Sequence, residues 1–189
     1  MEYFEKYAQG MHYCEGGAEL YFGPQDAIAI RDICETVFGL HIIRILDAGS
    51  ANGFSTHLLR NLGMDAVGIE ICPEMHAQTL ECVRPYNILG SITKLPFAPN
   101  SFDVVWTSAL TYLPTRKQVQ QALKEFARVG DYLIAWLLTE DEAQKRNVYD
   151  AYANIRMTCS GWVAEIERSG LWVEDVANRK YGMVFRRKA

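Results

Sequence analysis

The sequence predicts an α/β fold, a doubly wound and mostly parallel sheet with helices on both faces. Three observations predict it. Short β-branched runs alternate with segments of helical period between residues 24 and 138, a glycine-containing loop follows the first run, and two closely spaced strand-like runs end the chain. The alternation implies parallel strands joined by crossover helices, whereas the last two runs are too close for a crossover and must pair antiparallel.

Residues 1–23 are rich in aromatics and glycine without a sustained period, and are expected to form an irregular or partly helical cover. Pro24 opens a helix whose Ala27, Ile30, Cys34 and Val37 share one face, with Gly39 at its stop. Ile42 to Leu46 reads as a strand buried on both faces, and the glycine loop follows. Phe54 to Leu62 reads as a helix stopped by Gly63, Ala66 to Ile69 as a second strand ending in Glu70, and Pro73 to about Val83 as another helix. Asn87 to Leu89 is a brief strand, Pro96 to Ser101 a turn-rich stretch and Phe102 to Trp106 a strong strand. Residues 116–129 place Val119, Ala122, Leu123 and Phe126 on one helical face, Gly130 ends that helix, and Tyr132 to Leu138 is a further buried strand. A helical region is expected from Glu140 to Ser169, then strands at Leu171 to Val176 and Tyr181 to Arg186.

The chain has 189 residues, 49% of them hydrophobic and 22% charged, which fits one domain with a sizeable core. Residues 1–189 are read as that domain, with 1–39 an N-terminal cover and helix and 40–189 the ligand-binding core. A net charge of -4 and a pI near 5.6 offer no basic footprint for nucleic-acid phosphate. A small-molecule partner is expected instead. Five cysteines without a C-x-x-C pair read as free thiols in a reducing compartment, and the apolar runs are too short to span a bilayer. The expected location is therefore cytoplasmic, and the oligomeric state is not legible.

The chemistry concentrates in Asp47-Ala48-Gly49-Ser50-Ala51-Asn52-Gly53. Gly49 and Gly53 let the backbone turn sharply and approach a ligand, and the helix that follows adds its positive end. In open α/β sheets ligands sit beyond the carboxyl ends of the strands at the point where strand order reverses, which is where this loop falls. A tight strand-to-helix turn without a ligand is the plain alternative. A dinucleotide fingerprint is not met, because its second and third glycines are replaced by Ala51 and Phe54; the tighter G-x-G-x-G spacing fits with only Ala51 substituted. Glu70 lies 23 residues after Asp47, at a strand end where a carboxylate can accept both hydroxyl protons of a ribose. It is expected to contribute little to the core.

With these residues the chain resembles the class I S-adenosylmethionine-dependent methyltransferases, in the small-molecule branch often labelled type 11. The matching stretches are Ile45 to Gly53, Gly68-Ile69-Glu70, Leu95-Pro96-Phe97 with Ser101-Phe102-Asp103-Val104-Val105-Trp106, and Glu125 to Gly130. The resemblance implies a Rossmann-like sheet of seven strands whose last strand is antiparallel and inserted between the fifth and sixth. It implies S-adenosylmethionine as cofactor, S-adenosylhomocysteine as product and no metal. Asp47, Gly49, Ser50, Ala51 and Gly53 would then face the methionine portion, Glu70 the ribose and Ile71 the adenine, with Ile92 and Thr107 also at the cofactor.

Two positions depart from the family pattern. Ser91 stands where an aspartate commonly meets the adenine amino group, and Ala51 adds a methyl to a loop that must hug the ligand. A slightly displaced loop, or a negative φ at Ala51, is the expected accommodation.

Methyl transfer is an in-line attack that chiefly requires orientation and exclusion of water, so no general base is assigned. Ser108, Tyr112, His12 and Tyr13 are the substrate-contact candidates. The competing function is a non-catalytic cofactor-binding or regulatory subunit on the same fold. No histidine has a cysteine or carboxylate at metal-ligand spacing.

Overall fold

A computed structural model describes residues 23–146, 153–175 and 182–188. The N-terminal cover, with His12 and Tyr13, lies outside the described residues. Seven strands form one sheet in the order β3-β2-β1-β4-β5-β7-β6: β1 (Arg44–Ala48), β2 (Asp65–Glu70), β3 (Asn87–Leu89), β4 (Val104–Thr107), β5 (Tyr132–Ala135), β6 (Trp172–Glu174) and β7 (Met183–Arg187). The first five pair in parallel, and β7 runs antiparallel to both β5 and β6. The hairpin read from the sequence is therefore present, with its second strand inserted between the fifth and sixth.

Alternate residues of each central strand feed opposite cores, as the two-residue period of a strand requires. Ile45, Val104, Ile134 and Val184 point to the face covered by α1 (Pro24–Thr36) and α2 (Phe54–Asn61). Leu46, Val105, Leu133 and Phe185 point to the other face, packed by α4 (Arg116–Val129) and α6 (Cys159–Arg168). The short helices α3 (Pro73–Ala77) and α5 (Glu140–Arg146) complete the chain order, with 3-10 helices at Glu81–Tyr86 and Ala109–Tyr112.

Local chemistry sets several boundaries. Thr115 caps α4 by accepting from the Gln118 amide at 3.3 Å. Near the other end of that helix Arg128 donates to the carbonyls of Phe97 (2.7 Å) and Leu95 (3.0 Å), while Glu125 accepts from the Leu95 amide at 2.8 Å. The Leu95-Pro96-Phe97 turn is thus clamped by the helix, and two separate sequence motifs prove to be one contact.

Other boundaries differ from expectation. β1 begins two residues late, at Arg44, because Ile42 is 85% exposed and the ladder starts at Arg44 on the β2 side and at Ile45 on the β4 side. β4 likewise begins at Val104, since Phe102 and Asp103 donate to Val129 and Arg44 outside the ladder, and it extends to Thr107. The helix expected from Pro73 to Val83 breaks after Ala77, where the Thr79 hydroxyl donates to the His76 carbonyl at 2.6 Å, and resumes as a 3-10 turn containing Pro85. β5 ends at Ala135, short of Leu138.

The helical region expected over 140–169 is two helices. Residues 153–157, between them, are not helical and are held by Ile155 donating to Thr111 (3.0 Å) and Glu140 donating to Met157 (3.0 Å). Thr158 then caps α6 by accepting from the Gly161 amide. β6 and β7 are shorter or later than expected, and Val176 and Tyr181 lie outside the described residues. Among the described residues no helix is long and apolar enough to cross a membrane.

Candidate functional site

The loop Gly49–Gly53 leaves β1 beside the point where strand order reverses, with β2 on one side of β1 and β4 on the other. Its backbone is left-handed at Gly49 (φ 95°), Ala51 (φ 51°) and Gly53 (φ 78°). Ala51 therefore does not keep a negative φ; it takes the glycine conformation despite its methyl. Gly49 is required on packing grounds too, because a Cβ there would lie 2.4 Å from the Ala109 methyl. The amides of Gly49 and Ser50 both donate to the Ile69 carbonyl, at 2.9 and 3.1 Å, which folds the loop over the end of β2.

Glu70 locks that arrangement. One carboxylate oxygen accepts from the Ala51 amide at 2.9 Å and the other from the Cys72 amide at 2.7 Å, and the residue is only 6% exposed. It is thus a structural latch as well as a strand-end carboxylate, contrary to the expectation that it adds little to the core. Burial pushes its carboxyl above the ordinary range, and the amides of Cys72 and Ala51 pull it back.

Asp47 lies one residue before the end of β1 and is 1% exposed. Burial pushes its carboxyl up to about 6, opposed by hydroxyls of Ser55 (2.5 Å) and Thr56 (2.6 Å) that donate to it and reinforced by the charge of Glu70. Its contacts hold the first turn of α2.

A buried polar node beneath the loop escaped sequence reasoning. The Ser50 hydroxyl donates to Asn87 Oδ1 at 2.5 Å, and Asn87 Nδ2 donates to the Ala51 carbonyl (3.2 Å) and to Thr79 Oγ1 (2.8 Å). Gly68 makes room for it: a Cβ there would lie 2.4 Å from Asn87 Oδ1 and 2.7 Å from Ser50 Oγ. A polar residue opening an edge strand was the only signal, and it does not name a partner.

Thr107 is fully buried; its hydroxyl donates to the Ala48 carbonyl at 2.8 Å and accepts from the Ala109 amide at 3.0 Å, which ties the ends of β1 and β4 together. Ile71 is 64% exposed just past Glu70, and Leu89, the register neighbour of Glu70 on β3, is 49% exposed. Apolar surface therefore flanks the carboxylate. Ser91 is partly buried and turned back on itself, its hydroxyl accepting from the Thr93 amide at 3.2 Å, whereas Ile92 packs into the core. Ser108 precedes the 3-10 helix Ala109–Tyr112, and the Tyr112 carbonyl accepts from Asn154 Nδ2 at 2.7 Å. The structure thus gathers Asp47, the loop, Glu70, Ile71 and Thr107 at one end of the sheet, with Ser108 following β4 there. Among the described residues no three His, Cys, Asp or Glu side chains group as a metal site.

Comparison with known proteins finds similarity in sequence family and in fold. The methyltransferase domain family matches residues 46–131. No curated protein matches the chain in sequence. Among solved structures, the PH0226 protein from Pyrococcus horikoshii OT3 superposes with a TM-score of 0.68 at 17% identity, covering 100% of this chain and 99% of its own. A 1,6-didemethyltoxoflavin-N1-methyltransferase from Burkholderia thailandensis, with bound 1,6-didemethyltoxoflavin and S-adenosylhomocysteine, gives 0.68 at 13% identity, covering 100% and 86%. A putative methyltransferase in complex with the Haloferax volcanii Trm112 methyltransferase activator gives 0.58 at 16% identity, covering 87% and 93%.

Proposed function

We propose, for a chain that is a class I S-adenosylmethionine-dependent methyltransferase with its family match at residues 46–131, that the acceptor is a small molecule and that the Gly49–Gly53 loop and Glu70 hold the cofactor. The single observation carrying the site is the Glu70 carboxylate, fixed by two backbone amides at the end of β2 and flanked by exposed Ile71 and Leu89. An ionised carboxylate has about four acceptor sites, so each oxygen keeps one for a ribose hydroxyl after taking its amide. Ile71, with Leu89 beside it, then offers apolar cover for the adenine.

Asp47 sets the first turn of α2 from below, and the loop Gly49, Ser50, Ala51 and Gly53 borders the methionine portion. Thr107 acts through the loop it ties rather than by its buried hydroxyl, and Ile92 acts from the core behind Ser91. Ser91 stands beside the adenine amino group as a weaker acceptor than aspartate. The bound cofactor supplies an activated methyl carbon for in-line attack. The protein's part is to orient an acceptor against it and exclude water, with Ser108 and Tyr112 on the acceptor side. His12 and Tyr13 are proposed to complete that side.

The net charge of -4 supports a small acceptor over nucleic acid, and the small-molecule ligand of the Burkholderia thailandensis enzyme is consistent with it. Incubation with methyl-labelled cofactor and a cell extract split by size tests this. Label is expected in the low-molecular-weight fraction; label confined to protein or nucleic acid contradicts it. Cofactor binding without turnover of any fraction favours the second reading, a binding or regulatory subunit or an activator-dependent enzyme. The strained Ala51 and the activator complex of the Haloferax volcanii relative support carrying that reading.

A further inference from the structure

Outside the glycine loop, three side chains form a hydrogen-bonded row on the surface. Cys82 Sγ lies 3.3 Å from His57 Nδ1, and His57 Nε2 lies 2.9 Å from the Asn61 side-chain amide. Among the described residues Cys82 is exposed, whereas Cys34 and Cys72 are buried and Cys159 is partly so; Cys14 lies outside them. A reactive thiol needs access and a nearby group to manage its proton, and this row has both. With Asn61 Oδ1 turned to Nε2, the ring hydrogen sits on Nε2 and Nδ1 is the acceptor for the thiol proton; with the amide nitrogen there, Nδ1 carries the hydrogen and donates to sulfur. The first arrangement lets His57 take the thiol proton, as the exchange proposed below requires; in the second, Nδ1 can only donate to sulfur.

The row is also joined to the candidate cofactor loop. Cys82 belongs to the 3-10 helix Glu81–Tyr86, and Leu80, just before that helix, donates to the Asn52 carbonyl at 3.1 Å. The next residue, Val83, packs so closely that a Cβ on Gly53 would lie 3.0 Å from its methyl. The His57 amide donates to the Gly53 carbonyl at 2.9 Å. Cys82 therefore stands on a segment in direct contact with Asn52 and Gly53.

We propose that Cys82 is a thiol-modification site, taking a low-molecular-weight disulfide as its co-reactant, and that the adduct weakens cofactor binding at the adjoining loop. The Cys82 sulfur attacks one sulfur of the disulfide, forming a mixed disulfide and breaking the reagent's sulfur–sulfur bond. The Cys82 thiol is oxidised, half of the reagent is reduced, and the proton held by His57 passes to the departing thiolate. The second half of the proposal rests on the cofactor reading above.

The test treats the full chain with oxidised glutathione, and with a chromogenic aromatic disulfide to follow rates, mapping adducts by mass spectrometry. Cys82 is expected to react first, and His57→Gln to slow it about tenfold across the pH range with Cys82→Ser removing the fast phase. If His57→Gln does not fold, Asn61→Ala, at an exposed position, makes the same comparison. Another cysteine reacting first, or an unchanged Cys82 rate in a folded variant, overturns the site. Titration with S-adenosylhomocysteine then compares unmodified and glutathione-bearing protein. Affinity at least about fivefold weaker after modification is expected in the natural chain, with Cys82→Ser binding normally before and after treatment. Equal affinities before and after modification overturn the coupling. Absence of binding in the unmodified chain refutes the cofactor reading, and the site then stands or falls on its rates.

Discussion

The Glu70 carboxylate accepts the Ala51 amide at 2.9 Å, so the charge proposed to hold a ribose also pins the strained residue of the loop. Its other oxygen takes the Cys72 amide, which makes Glu70 the joint between the loop and the segment after β2. Loss of the side chain leaves buried amide donors without an acceptor. Glu70→Ala is therefore expected to lower folding stability by roughly 1–3 kcal/mol, read from urea denaturation. Unchanged stability would show that water replaces the carboxylate freely.

Ala51 holds φ 51°, a conformation that disfavours a Cβ by about 1–2 kcal/mol. Glycine there relieves the strain but loses more entropy on folding, by about 0.4–1 kcal/mol. Ala51→Gly is expected to stabilise the protein by a net ~0.5–1 kcal/mol, seen as a higher denaturation midpoint. A lower midpoint contradicts strain at this residue.

Asp47 gives a pH dependence of unusual sign. Burial raises its folded carboxyl from 3.8 to about 6, so the folded state holds this proton more tightly than the unfolded chain. Its contribution is fully present below the unfolded value and is lost as pH rises through about 6. Asp47→Asn, neutral throughout, is expected to gain melting temperature relative to the natural chain as pH rises from about 4 to 7. A difference that stays flat over that range contradicts a buried, proton-retaining Asp47.

Gly68→Ala tests the node beneath the loop. Its Cβ must displace Asn87 or Ser50, both buried and hydrogen-bonded to each other, so a loss of about 1–3 kcal/mol is expected in denaturation. A stable variant with unaltered cofactor affinity would mean that the node yields without moving the loop.

The sequence made the sheet legible because strand and helix periods are local, and β3, α1 and α4 fall where their patterns put them. Glu70 was legible because it follows a strand at a fixed distance from Asp47. The positive φ of Ala51 was not, since the residue type argues against it and only the Ile69, Glu70 and Asn87 hydrogen bonds around it enforce it. The node was hidden for a similar reason: Ser50 and Asn87 meet across 37 residues, and no local pattern announces the contact. The non-helical segment 153–157 was read as helix because its partners, Thr111 and Tyr112, lie far off in sequence, on the 3-10 helix after β4.

Calorimetric titration of S-adenosylhomocysteine into the natural chain and Glu70→Gln, with a thermal melt to establish folding, tests the central claim most directly. Glutamine keeps an oxygen for one backbone amide but loses the charge and an acceptor that the ribose requires. Affinity is expected to fall at least about tenfold, equivalent to roughly 1.4 kcal/mol. Unchanged affinity in a folded Glu70→Gln protein would contradict the placement of the ribose on this carboxylate.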